Sequence, residues 1–311
     1  MNLAPDDLPE NRTLAPTSPD AVPAWLRAPV ETGQSSADQS SFANPESSAD
    51  ENHPSNIQPI ALVPPCSPDP AWNGWDVLRL SIFSLVALFS LVFGAAPLLV
   101  RWLLYPHTAF GQIIQLPLVS LAGQSVAYLV VFAYMYVLVT RERRRPDFLA
   151  AIHWNWPSNV AMYVLVGLLL SVALQLLARL LPIPKELPID NFFRTPAEAW
   201  AVGLLAVLCA PLMEELFFRG FLYPVLARST GVPIAVLLTA IAFALLHGAQ
   251  LGFSWGPVLV IFLVGIVLTV VRARKNSVAA SVLIHMAYNG TITVAMFAAT
   301  DGFRHLEKLN Q

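Results

Sequence analysis

Charge is scarce in this chain: Asp, Glu, Lys and Arg make up 12% of its 311 residues, about half the share of an ordinary soluble domain. So few ions cannot clothe a water-exposed surface of this size, which argues against a soluble globular enzyme. A basic excess is missing too. The formal charge is −2, so no field exists to hold nucleic acid. Cysteine is nearly absent: Cys66 and Cys209 are too few and too far apart for a disulfide framework or a cysteine-based metal site. Apolar residues fill the chain instead, at 56% of the total with a mean hydropathy of +0.58.

The composition breaks near residue 75. Residues 1–75 hold 13 of the 26 prolines and 10 of the 20 acidic residues, with Arg12 and Arg27 as the basic ones. Ser, Asn, Asp and Gln fill the space between. Such a stretch cannot bury enough apolar area to offset its backbone entropy, so a disordered leash is expected. It lacks the basic start and apolar core of a signal peptide.

From Leu80 onward, long runs carry no charge. They are Leu80–Val100, the part of Trp102–Thr140 from about Ile114, a run after Pro157, one from Thr195-Pro196, two within Ser229–Val271, and Asn276–Thr300. A helix needs ~20 apolar residues to cross the hydrocarbon. The expected fold is therefore all-α, a polytopic membrane bundle of about seven transmembrane helices behind the leash. Its parts are the leash (1–75), three spans (76–194), a region of four spans (195–302) and a short tail (303–311). Arg141 and Arg143–Arg145, Arg228, and Arg272 with Arg274 and Lys275 all fall on one side of such a bundle. The positive-inside rule then predicts a multi-pass cell-membrane protein with a cytoplasmic N-terminus.

Charges inside spans are expensive and need a reason. Glu214, Glu215 and Arg219 sit in Pro211-Leu-Met-Glu-Glu-Leu-Phe-Phe-Arg, with apolar sequence on both sides. On a helix Glu215 and Arg219 can pair at i, i+4. Glu214 is turned ~100° away and is left over. Phe243-Ala-Leu-Leu-His247 and His285-Met-Ala-Tyr-Asn289 place two imidazoles and a carboxamide in other spans. Together these groups supply a base, groups that bind water and a donor for an oxyanion. Glu214, His247 and His285 are also a possible ligand set for a divalent metal such as zinc, although His-Glu-x-x-His is absent. Metal-bound and metal-free water both remain open. Depth is a difficulty. His285 lies ten residues past Lys275 and Glu214 lies 14 before Arg228, or ~15 and ~21 Å deep, so a tilt or a kink near Pro211 or Pro224 is needed to level them.

In this order the three motifs resemble those of the CAAX prenyl endopeptidase and bacteriocin-processing family, the CPBP or Abi-type intramembrane metalloproteases. The resemblance covers about residues 200–299. It implies that Glu214 activates water, that His247, His285 and Asn289 complete the site, and that Glu215, Arg219 and Phe243 support it. It further implies a peptide substrate, lipidated at a CAAX-like C-terminus or membrane-bound without a prenyl group. Two other readings use the same residues: a proton- or cation-coupled transporter, and a non-catalytic immunity or scaffold protein.

Overall fold

The computed structural model describes residues 70–184 and 186–310. The leash expected over 1–75 lies outside these, apart from residues 70–75. Seven apolar helices follow one another: α1 (Gly74–Leu104), α2 (Pro117–Glu142), α3 (Val160–Ala178), α4 (Pro196–Thr230), α5 (Val232–His247), α6 (Trp255–Lys275) and α7 (Val278–Ala299). Short helical turns at Phe110–Ile114, Phe148–Ala151, Pro188–Phe192 and Leu306–Asn310 lie in the connections, and the described residues contain no strand. Six of the seven helices are long and apolar enough to span a membrane. The exception is α5, which has 16 residues. At 1.5 Å per residue it reaches ~24 Å, short of the ~30 Å hydrocarbon.

The helix starts follow from local chemistry. Asn73 caps α1 in a reciprocal capping box with Asp76. Thr195 does the same for α4 with Glu198, ahead of Pro196. The Asn159 and Ser277 side chains cap α3 and α7. Each cap satisfies backbone N–H groups that have no intrahelical partner.

The boundary expected at residue 75 moves toward the N-terminus. Trp72 is fully buried; its indole Nε1 donates to the Phe221 carbonyl at 3.1 Å, and its ring stacks on Phe221. Arg228 donates to the carbonyls of Pro70 and Trp72. One large aromatic and two carbonyls thus tie residues 70–75 to α4, which a composition count over 75 residues does not register.

Large apolar side chains are exposed on the bundle while a few charged ones are buried among its apolar core. Trp102, Leu129 and Leu180 are 76%, 70% and 82% exposed, while Asp76, Glu215 and Arg219 are fully buried. Lipid, not water, suits such an exterior. Where helices cross closely, glycine permits it. A Cβ on Gly167 of α3 would lie 2.4 Å from the Ile284 carbonyl oxygen of α7, and one on Gly265 of α6 would lie 3.1 Å from the Ala240 Cα of α5. Small residues let backbones approach where no hydrophobic drive exists between spans.

Four helical segments among the described residues widen into π turns, at Leu91–Ala95, Leu138–Glu142, Leu205–Cys209 and Leu216–Leu222. Leu138–Glu142 ends α2; each of the other three is followed two residues later by a proline: Pro97, Pro211 or Pro224. In each of these three the residue just before the proline donates five residues back: Ala96 to Leu91, Ala210 to Leu205 and Tyr223 to Phe218. The next carbonyl in that register belongs to Val92, Ala206 or Arg219, and its donor would be the proline, which has no N–H. A bulge of this kind is a usual response to proline in a helix. Two of the three fall in α4, on either side of Glu214 and Glu215.

Candidate active site

Glu214 and Glu215 lie near the middle of α4, and helix geometry separates them. Glu215 Oε1 accepts from Arg219 Nη1 at 2.7 Å, with both side chains fully buried. The same oxygen accepts from His285 Nδ1 on α7 at 2.8 Å. Arg219 is satisfied on its other side, with Nε donating to Thr269 Oγ1 and Nη2 to the Gly265 carbonyl of α6. Its guanidinium carbon sits 4.6 Å from the Phe243 ring centroid. Glu215 thus joins α4 to α7, a link the i, i+4 spacing alone does not reveal.

Glu214 points elsewhere. Its two oxygens lie 3.8 Å from His247 Nε2 and 3.8 Å from His285 Nε2. That is too long for a direct hydrogen bond. Both imidazoles are set by their other nitrogen. His247 Nδ1 lies 2.8 Å from the Phe243 carbonyl, which can only accept, so Nδ1 carries a proton. The Glu215 carboxylate imposes the same choice on His285. In its neutral form each ring then presents an Nε2 lone pair toward Glu214. Phe243, itself buried, packs against both rings, at centroid distances of 4.7 Å to His247 and 5.7 Å to His285.

Asn289, on the same face of α7 as His285, donates from Nδ2 to the Ala206 carbonyl at 2.7 Å. That carbonyl is the one Pro211 leaves without a backbone donor. The Arg219 carbonyl, left in the same way by Pro224, accepts from Arg272 Nε at 3.1 Å. Arg272, one of the basic residues read as marking topology, is buried, also donating to Asn276 Oδ1 at 2.6 Å and lying over the Tyr223 ring. His153 is half-buried, with its Nδ1 3.1 Å from Asn276 Nδ2.

Glu214, His247, His285 and Asn289 line one largely apolar cavity of about 820 Å³. Glu214, His247 and His285 thus meet despite the depth difference estimated from the sequence; π turns flank Glu214 on both sides in α4, and His247 is the last residue of α5. Helices before the motif region also contribute: Ser81 and Ser84 from α1, and Gln124 and Tyr128 from α2. None of the three motifs contains these residues. A signal existed, because Gln124 and Tyr128 are polar residues four apart in an uncharged span, like His285 and Asn289.

Zinc would find suitable donor chemistry in two imidazoles and a carboxylate, with each ring held from behind. The arrangement does not fit as well as the chemistry. The two rings face different oxygens of Glu214, and no group of three His, Cys, Asp or Glu among the described residues is spaced to hold a metal ion.

Fold and site together define a polytopic helical membrane protein with a carboxylate–imidazole cluster in an internal cavity. Residues 196–291, about a third of the chain, match the family described as type II CAAX prenyl endopeptidase, Rce1-like. It is also 29% identical over 132 residues to the UPF0177 protein YbdI of Lactococcus lactis subsp. lactis (strain IL1403), an alignment covering 41% of this chain and 69% of that protein. No solved structure matches.

Proposed function

We propose that the protein is an intramembrane endopeptidase in which Glu214 is the general base. One observation carries this reading. In a cavity walled by apolar side chains, Glu214 has two imidazole Nε2 atoms at 3.8 Å, while its neighbour Glu215 takes the arginine. A carboxylate placed so deep without a cation at pairing distance is functional by default.

A water held between Glu214 and the two imidazoles gives one proton to Glu214, and its other O–H is accepted by an Nε2. The oxygen attacks the scissile carbonyl, whose π electrons pass to the carbonyl oxygen. The Asn289 N–H that is not used by Ala206 can donate to that oxyanion. Collapse of the tetrahedral adduct breaks the C–N bond, and Glu214 returns its proton to the leaving nitrogen. Glu215 fixes the tautomer and direction of His285. The family match and the apolar cavity support a membrane-bound peptide substrate of CAAX type. For localisation, the basic clusters named above gather at one end of the bundle. Arg143 pairs with Asp76 at the start of α1, Arg228 binds residues 70 and 72, and Asn276, after Arg272–Lys275, accepts from Asn155. That end is assigned to the cytoplasm of a cell-membrane protein.

Purified full-length protein incubated with farnesylated and unmodified CAAX peptides should release a C-terminal fragment identifiable by mass. Intact peptides in both arms, with folded protein, would contradict the assignment.

A further inference from the structure

We propose that Tyr128, on α2 and outside the family-matched segment, is a catalytic residue whose phenol donates a hydrogen bond to the substrate carbonyl across the cavity from Glu214. The proposal rests on the endopeptidase reading and adds to it a group that none of the three motifs contains.

The geometry supports this in three ways. First, Tyr128 lines the same cavity as Glu214, His247, His285 and Asn289. Second, its hydroxyl is held in place by Gln124, one turn earlier, whose Nε2 donates to it at 2.7 Å. That bond occupies a lone pair of the phenol oxygen and leaves its O–H as a donor, and no acceptor for it is found among the described residues. An oriented O–H with no protein acceptor, in an apolar cavity, is what a developing oxyanion needs, because such a donor reorganises little when charge appears. Third, the donor expected from the motifs is half committed. Asn289 already gives one N–H to the Ala206 carbonyl, and the lone pairs at Nε2 of His247 and His285 accept, not donate. One amide hydrogen is thin stabilisation for an oxyanion, and Tyr128 supplies a second.

The step balances without a co-reactant. Water's oxygen bonds to the carbonyl carbon while Glu214 takes the proton. The carbonyl π pair becomes the oxyanion, which accepts from Tyr128 O–H and Asn289 N–H. The pair returns as the C–N bond breaks, and the proton on Glu214 goes to the nitrogen. Tyr128 keeps its own proton throughout.

The experiment compares full-length wild type, Tyr128→Phe, Gln124→Leu and Glu214→Gln, purified in detergent, on quenched fluorescent CAAX peptides with and without farnesyl, recording kcat, KM and Tm. Loss of an oxyanion donor lowers kcat ~100- to 1,000-fold. Tyr128→Phe should show that fall with KM within about twofold and Tm unchanged, a split that a packing role would not produce. Gln124→Leu, which loosens the phenol without removing it, should lose ~2- to 10-fold in kcat, and it carries the test if Tyr128→Phe does not fold. Wild-type kcat in Tyr128→Phe, or in Gln124→Leu when that variant carries the test, with Glu214→Gln inert, would overturn the role of Tyr128 and leave the endopeptidase reading standing. Wild type that cleaves neither peptide would overturn both.

Discussion

Two adjacent glutamates in a span look redundant, yet their surroundings give them different work. Glu215 neutralises a buried arginine and accepts from His285 through the same oxygen. Replacing it with Gln leaves Arg219 unpaired in the interior, at a cost of about 3–5 kcal/mol, and removes the anion that orients His285. Glu215→Gln should therefore lose both thermal stability and activity, the latter even at temperatures where the variant is folded. Melting curves and turnover at 10–15 °C below the variant's own midpoint, on the order of the shifts such mutations cause, would separate the two losses. Full activity at that temperature would mean that His285 needs no carboxylate behind it. The split between the glutamates was legible from the ~100° step per residue. The Glu215–His285 bond was not, because it joins positions 70 residues apart, and nothing within one helix announces a tertiary partner. The burial of Arg272 was hidden for a related reason. A basic residue near the end of a span reads as a topology marker, and only the neighbouring π turn reveals the carbonyl it serves.

At the level of elements, the prolines of α4 organise the site. Pro211 and Pro224 each open a π turn and leave a carbonyl without its backbone donor, and side chains from α7 and α6 close the gap. This arrangement predicts a specific coupling. Asn289→Ala should cost about 1–3 kcal/mol by leaving the Ala206 carbonyl buried and unsatisfied. In a Pro211→Ala background, where residue 211 regains an N–H, the same substitution should cost clearly less. A double-mutant cycle on detergent thermal stability measures the difference; strict additivity would show that the amide does not serve that carbonyl. The helices themselves were largely legible, because long uncharged runs in a low-charge chain leave few alternatives, and Thr195-Pro196 marked the start of α4. Their detail was not. Composition flags a kink at a proline but not whether it becomes a π turn, and two spans expected within the 229–271 run did not reveal that α5 stops at 16 residues. That early stop places His247 at a helix end beside Glu214.

For the molecule as a whole, the basic clusters and the start of α1 share one end, which predicts topology. In a background lacking Cys66 and Cys209, single cysteines at positions 144 and 274 should resist an impermeant thiol reagent in intact cells, while one at 250 should react. The reverse pattern would invert the orientation. Trp72 sets where the chain can be shortened. A variant starting at Ser67 should keep wild-type thermal stability and hydrolysis, whereas Trp72→Ala should cost about 3–5 kcal/mol by emptying a buried aromatic site. Equal stability of the Trp72→Ala variant and wild type would show that residues 70–75 are not part of the bundle. The central claim is that the carboxylate of Glu214, facing two imidazoles in the cavity, activates water. The most direct measurement is the turnover of Glu214→Gln on the peptide that wild type cleaves, with Tm recorded on the same preparation. Glutamine keeps the size and removes the basicity, so kcat should fall ~100- to 10,000-fold while Tm stays at the wild-type value. A folded Glu214→Gln protein with near-normal kcat would contradict the account.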